Sequence, residues 1–328
     1  MHRHLTLSEY GQFLGVRGEC LLVRHESVEY EYPLSRLKSV QIAKKGVSIS
    51  SDALLKCASR GIKLFVCDFR NQSVACLSGV SQHAVATVRQ AQFRGLENGR
   101  CRALAARLVS AKIRNQRATL LYFGKYHQDQ SASIRPVTEQ LLTLAAQARD
   151  QAQRDYAQWR ERLMGLEGQA AAQYWQTLKK TGLLPDTFPG RTGRFSEDAT
   201  NMALNYGYAI LSSYIWNAII NAGLEPYAGF YHTPRPGKPS LVLDLMEEYR
   251  PWVVDRAIIK HRSHLDGKKS LGARIRKTLV GDIHRTFATR FFYRGRKMYL
   301  ESILQRQVYK LAGVFVDGKQ YRPYTFKW

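Results

Sequence analysis

The apolar pattern of this chain changes character once, between residues 79 and 88. Before the change, residues 20 to 78 carry short apolar or alternating runs: "CLLVRH", "VEYEY", "KSVQIA", "VSIS", "IKLFVCDF" and "VACLS". Such runs predict strands, because "VEYEY" alternates at period 2 and the others are rich in β-branched residues. Among them "SSDALLKCASRG" predicts one helix, capped by Ser50 or Ser51 and ended by Gly61. After the change come long Ala, Leu, Gln and Arg stretches such as "CRALAARLVSAKIRNQRATLLYFGK" and "TEQLLTLAAQARDQAQRDYAQWRERL". Helix formers dominate there and prolines are nearly absent until Pro185. The expected fold is α+β: a small β-rich domain over residues 1–82, then a larger all-helical domain over residues 83–328.

Charge narrows the partners. The 328 residues include 50 Lys and Arg against 26 Asp and Glu, a net charge of +24. A chain of that balance binds a polyanion, either nucleic acid or an anionic membrane surface. The apolar stretch "AILSSYIWNAIINAGL" is broken by Ser212, Ser213, Asn217 and Asn221. It falls short of the ~20 apolar residues of a bilayer span, so no membrane segment is expected. "MHRHLTLSEYGQFL" lacks an apolar signal core, which predicts a cytoplasmic protein. Cys20, Cys57, Cys67, Cys76 and Cys101 form no CxxC pair; their odd number argues against a disulfide framework and for reduced thiols, and no ligand set for a structural zinc site is present. Residues 256 to 297 hold 13 basic residues with only Asp266 and Asp282 as acids. The polyanion is therefore expected on the helical domain.

Against this basic background, acid is concentrated in "LVLDLMEEYR". On a helix, Asp244 and Glu247 share one face, where two carboxylates reach one ion. The alternative is an exposed acidic face partnered by Arg250 and Arg256. Glu248 reads as a solvent or salt-bridge residue. His232 precedes them in a loop stiffened by Pro234, Pro236 and Pro239, which is able to hold a side chain in place. Glu167 lies between Gly165 and Gly168 in "RLMGLEGQAAAQYW", which reads as a helix start with Glu167 in its first turn. His261 and His264 in "KHRSH" are i, i+3, but Lys260 and Arg262 beside them favour phosphate contact or plain surface over a metal site.

The order "GLEGQAAAQYW", "RTGRFSEDATNMALNYGYAIL", "GLEPYAGFYHTPRPGKPSLVLDLMEEYRPWVVDR" and "YRPYTFKW" resembles the CRISPR-associated integrase and endonuclease that is the catalytic subunit of the spacer-acquisition complex, the Cas-one family. "VSISSDALLKCASRGIKLFVCDF" resembles that family's N-terminal β domain, so the likeness spans nearly the whole chain. The resemblance implies a β-rich domain that joins a homodimer and a helical catalytic domain in which a Glu, a His and a second acid bind a divalent metal. These map onto Glu167, His232 and Glu247, with Asp244 as a further ligand or support. It further implies double-stranded DNA with 3′ ends and CRISPR array DNA as substrates, joined by transesterification, and a dimer of the small Cas-two protein as partner.

Carboxylates with one imidazole and no thiolate suit Mg²⁺ or Mn²⁺. Around them, Arg191 and Arg194 in "PGRTGRF" are candidate phosphate clamps or solvated loop residues. Asn201, Asn205 and Tyr206 are candidate supports for the metal ligands or substrate, or simply helix packing. In "HRTFATRFFYRGRKMYL", Arg285, Arg290, Arg294, Arg296 and Lys297 interleave with aromatics, as a nucleic-acid surface does, although an amphipathic helix with buried rings has the same composition. Two other readings share these residues: a standalone metal-dependent nuclease, and a noncatalytic DNA-binding protein, which offers no reason for the three metal-type residues to coexist.

Overall fold

The computed structural model describes residues 4–68, 73–79, 85–97, 100–126, 128–152, 158–193 and 196–327, and it divides into two compact units, Met1–His83 and Ala84–Trp328. In the first unit, β1 (His4–Leu7), β5 (Ser39–Ile42) and β7 (Lys63–Cys67) run parallel, and β8 (Ser73–Leu77) closes that sheet antiparallel to β7. A second sheet has the order β4 (Val28–Pro33), β3 (Cys20–His25), β2 (Phe13–Arg17), β6 (Ser48–Ile49). Helix α1 (Ser51–Ser59) lies against β2 and β7. Its first turn is capped by Ser50, whose hydroxyl accepts from the Ala53 amide at 3.2 Å, and Gly61 follows at φ +67°. Leu7, Leu14, Leu21, Val40, Cys57 and Leu64 form the core of this unit. The six runs read as strands are β3 to β8; β1 and β2, in front of them, are additional. The "VEYEY" alternation does not bury one face: β4 is an edge strand exposed along most of its length.

The second unit is helical: α2 (Val85–Glu97), α3 (Arg100–Tyr126), α4 (Gln128–Asp150), α5 (Trp159–Lys180), α6 (Ala199–Asn221), α7 (Ser240–Met246), α8 (Arg256–Lys260), α9 (Ala273–Phe287) and α10 (Leu300–Asp317). Helix α3 packs along α4 and α5. Helix α6 is apolar nearly all round and is the central buried helix, against α7, α9 and α10. It carries the broken apolar stretch as far as Asn221, and among the described residues no helix is long and apolar enough to cross a membrane. Between α7 and α8, Arg250–Asp255 form a π-helical segment, a geometry often found beside functional groups.

One departure from an all-helical second unit is a hairpin of β9 (Arg290–Tyr293) and β10 (Arg296–Tyr299). The charged and aromatic run after α9 is therefore not a continuation of that helix. Arg294 (φ +48°) and Gly295 (φ +85°) make the two-residue turn, whose positive angles match the strand twist. Beyond α10 the chain folds back over the unit: Tyr321, Tyr324 and Phe326 are buried, with Phe326 stacked on Trp252 at 5.2 Å. Glu248 holds this tail. Its carboxyl is fully buried and accepts hydrogen bonds from the Tyr321 hydroxyl and from the Tyr324 amide at 2.8 Å, so it is neither a solvent residue nor a salt-bridge residue.

Candidate active site

Glu167 lies in the middle of α5, not in the first turn of a helix. Gly165 and Gly168 are consequently interior to α5, and a Cβ on either would touch nothing within 4 Å. Packing imposes neither glycine. The Glu167 carboxylate accepts from the Tyr231 hydroxyl and from the Lys112 ammonium.

Glu247, at the C-terminal end of α7, is almost fully buried. Its Oε1 pairs with Arg250 at 2.6 Å and its Oε2 lies 2.7 Å from the same Lys112 ammonium. Among the described residues Oε2 has no partner but that ammonium, so a cation arriving there would replace it. Burial opposes ionisation of Glu247, but the charges of Arg250 and then Lys112 outweigh it and hold the carboxyl well below the usual range. Burial likewise opposes the charge on Lys112, and Glu247 and then Glu167 outweigh it, so its pKa is raised. Two carboxylates distant in sequence thus share one cation.

Asp244 has a different task. Its carboxylate is fully buried in α7 and faces the loop that follows α6. Oδ2 accepts from the amides of Phe230 (2.7 Å) and Tyr231 (3.0 Å); Oδ1 accepts from the His232 amide (2.8 Å) and ring Nδ1 (2.7 Å). A carboxylate is acceptor-only, so Nδ1 carries a proton, and Nε2 is the ring nitrogen left to face a ligand. Gly229 permits the approach, since a Cβ there would lie 2.7 Å from the Asp244 carboxylate. The Arg160 guanidinium fixes the same loop from α5 through the Tyr231 carbonyl at 2.9 Å. Both Asp244 oxygens are thus engaged, two hydrogen bonds each, in holding the loop that carries His232.

The remaining candidates divide. Arg191 donates to Asn201 at 3.0 Å and Asn205 at 2.8 Å and lies over the Tyr208 ring. Asn201 and Asn205 therefore brace the Arg191 loop rather than the acids, and Tyr206 is in the core. Arg194 lies outside the described residues. Lys260, Arg290, Arg294, Arg296 and Lys297 are exposed, the last four on the hairpin; Arg285 is exposed and pairs with Asp282. His261 also pairs with Asp282, at 2.7 Å. Sequence reasoning missed Lys112 altogether and took Arg250 only for the partner of an exposed face. It also missed Asp255, buried behind Arg250, which accepts from the hydroxyls of Tyr208 (2.6 Å) and Tyr174 (3.2 Å).

Among the described residues no three His, Cys, Asp or Glu side chains are arranged as they stand to hold an ion. The structure brings Glu167 and Glu247 together on Lys112, with His232 reached through its neighbour Tyr231. The donor types, with Glu247 Oε2 held by the Lys112 ammonium alone among the described residues, fit a hard divalent cation.

Residues 5–270 match the family model described as CRISPR associated protein Cas1. The CRISPR-associated endonuclease Cas1 1 of Francisella tularensis subsp. novicida (strain U112) is 46% identical over 326 residues, 99% of this chain and 100% of that protein. Among solved structures, a casposase bound to integration product superposes with a TM-score of 0.79 at 21% identity, covering 97% of this chain and 92% of that one. A Cas6-RT-Cas1–Cas2 complex gives 0.73 at 22% identity, covering 99% of this chain and 36% of the other. The chain belongs to the Cas1 family of CRISPR-associated proteins.

Proposed function

We propose that this chain is a divalent-metal-dependent DNA integrase that inserts short duplex fragments into a CRISPR array, in the cytoplasm, by directing each fragment's 3′-hydroxyl onto a phosphodiester. The observation that carries the reading is the pair of carboxylates, Glu167 and Glu247, sharing one cation in a chain of net charge +24. Bare carboxylates repel phosphates, so acids in a basic protein suit DNA chemistry when a cation stands between them. Glu167, His232 and Glu247 would hold Mg²⁺ or Mn²⁺, which supplies charge neutralisation at the phosphate and a lowered pKa for the attacking hydroxyl.

The chain's own residues do the rest. Asp244 holds the His232 ring through Nδ1 and leaves Nε2 to face a ligand, and Tyr231 and Arg250 fix the orientation of Glu167 and Glu247. Arg191, Lys260 and the hairpin cations Arg290, Arg294, Arg296 and Lys297 bind the phosphate backbone. Exchange of one phosphodiester for another needs no external energy. Two relationships support the partners: the casposase neighbour is bound to an integration product, and another neighbour is a complex containing Cas2. A homodimer through the first unit is consistent with the exposed edge of β4, where Val28 and Tyr30 face outward.

The test incubates 3′-hydroxyl duplex fragments with a supercoiled CRISPR plasmid, the Cas2 partner and Mg²⁺ or Mn²⁺, comparing wild type with Glu167→Ala. Joined products from wild type alone are expected. Cleavage without joining favours a standalone nuclease, the activity in the name of the Francisella relative; an active alanine variant removes the metal assignment.

A further inference from the structure

The cation shared by Glu167 and Glu247 belongs to the protein itself. We propose that Lys112 is a built-in counter-ion which competes with the divalent cation for these two carboxylates and so sets the metal affinity of the site. The inference rests on the metal-binding reading above and concerns what that reading does not include.

Lys112 stands on α3, between the fully packed Ala111 and Ile113, and its side chain is only 12% exposed. A lysine stem ordinarily carries its ammonium out to water. This one points inward and is stabilised there by two carboxylates, which a buried ammonium requires. The two cations of the cluster differ in kind. Arg250 is a planar fork, fixed to Glu247 Oε1 and lying 4.9 Å over the Tyr208 ring. Lys112 is a point charge on a flexible four-carbon stem and is able to withdraw. The oxygens it takes are the ones left over: Tyr231 occupies Glu167 Oε2 and Arg250 occupies Glu247 Oε1, so Lys112 faces Glu167 Oε1 and Glu247 Oε2. Those are the positions a metal needs.

Charge accounting gives the direction. Among these five side chains, Glu167, Glu247 and Asp244 carry three negative charges against two positive from Lys112 and Arg250, a net of one negative. Removing the lysine charge leaves two negative and two carboxylates that only another cation reconciles. A divalent ion then enters without displacing anything.

The test measures Mn²⁺ binding to the full chain without DNA, by the electron paramagnetic resonance of free Mn²⁺ and by calorimetry. Wild type is compared with Lys112→Met, Lys112→Gln, Lys112→Arg and Glu167→Gln, and thermal unfolding is followed with and without Mn²⁺. The uncharged variants are expected to bind Mn²⁺ roughly tenfold or more tightly than wild type, as a charge at this range is worth that much. They should also melt earlier without metal and gain more from Mn²⁺ than wild type does. Lys112→Arg should bind no more tightly than wild type. If Glu167→Gln abolishes binding while Lys112→Met and Lys112→Gln bind no better than wild type, the counter-ion role is overturned and the metal reading stands. If neither wild type nor the Lys112 variants bind Mn²⁺, both fall. Lys112→Gln keeps a hydrogen-bond donor to the carboxylates and decides the matter should the methionine variant fail to fold.

Discussion

Replacing Asp244 with Asn separates the positioning role of this buried acid from a ligand role. The side chain keeps its shape but exchanges one acceptor oxygen for an NH₂ donor, at a carboxylate that takes four hydrogen bonds. If the NH₂ replaces Oδ2, the amides of Phe230 and Tyr231 both lose their acceptor. If it replaces Oδ1, only the His232 amide is stranded, because the imidazole is able to change tautomer and accept at Nδ1. The second orientation costs less and so prevails. One stranded buried amide costs about 1–3 kcal/mol, and the surviving bonds lose their charge assistance, so roughly 2–4 kcal/mol of stability is lost. For a unit of this size that is a drop in Tm of about 5–15 °C by calorimetry. The tautomer change has its own readout. The proton moves to Nε2, so ¹⁵N-histidine NMR should show the switch at His232, and Mn²⁺ affinity should fall even in folded protein. A variant that melts within about 1 °C of wild type, or keeps the proton on Nδ1, would refute this account of Asp244.

Burial raises Asp255 to about 6, although the Tyr208 and Tyr174 hydroxyls work in the other direction. The folded chain therefore holds a proton that the unfolded chain releases near pH 4, and stability falls as pH rises from about 4 to 6, by about 3 kcal/mol from this group. Asp255→Asn should remove that part of the slope in urea titrations across the window, leaving the slope from Glu248, which burial raises to about 7; an unchanged profile contradicts it. Gly165→Ala and Gly168→Ala should each raise stability by roughly 0.5–1 kcal/mol, because both are interior to α5 with open space where the methyl would go; a lowered Tm would show a constraint on α5 outside the packing. Changing Arg290, Arg294, Arg296 and Lys297 together to Gln should flatten the salt dependence of DNA binding by up to about 4 in the log–log slope. A change below about 1 would place the DNA elsewhere.

What could be read from the chain depended on whether the deciding interaction was local. Ser50 before "SDALLK" and Gly61 after it delimit α1 because capping and positive φ act within a few residues. The β1 strand, four residues long, exists through its parallel pairing with β5, thirty-five residues on, so "HLTL" carries little signal of its own. The hairpin did have a local signal, Arg294–Gly295 between two aromatic runs, but flanking helix formers obscured it. At the site the same division holds. Asp244 and Glu247 are three apart on one turn and were visible as a pair, whereas Glu248 was misjudged because its environment is made by a tail more than seventy residues away. Lys112 is the extreme case. Within "AARLVSAKIRNQR" it is one cation among Arg107, Arg114 and Arg117, and nothing local marks it as buried. Only the packing of α3 against α5 turns that lysine inward, where it meets a carboxylate from α5 and another from the end of α7. A residue whose role is to balance charges contributed by other elements leaves no motif, and it is found only by asking what neutralises the acids that motifs reveal.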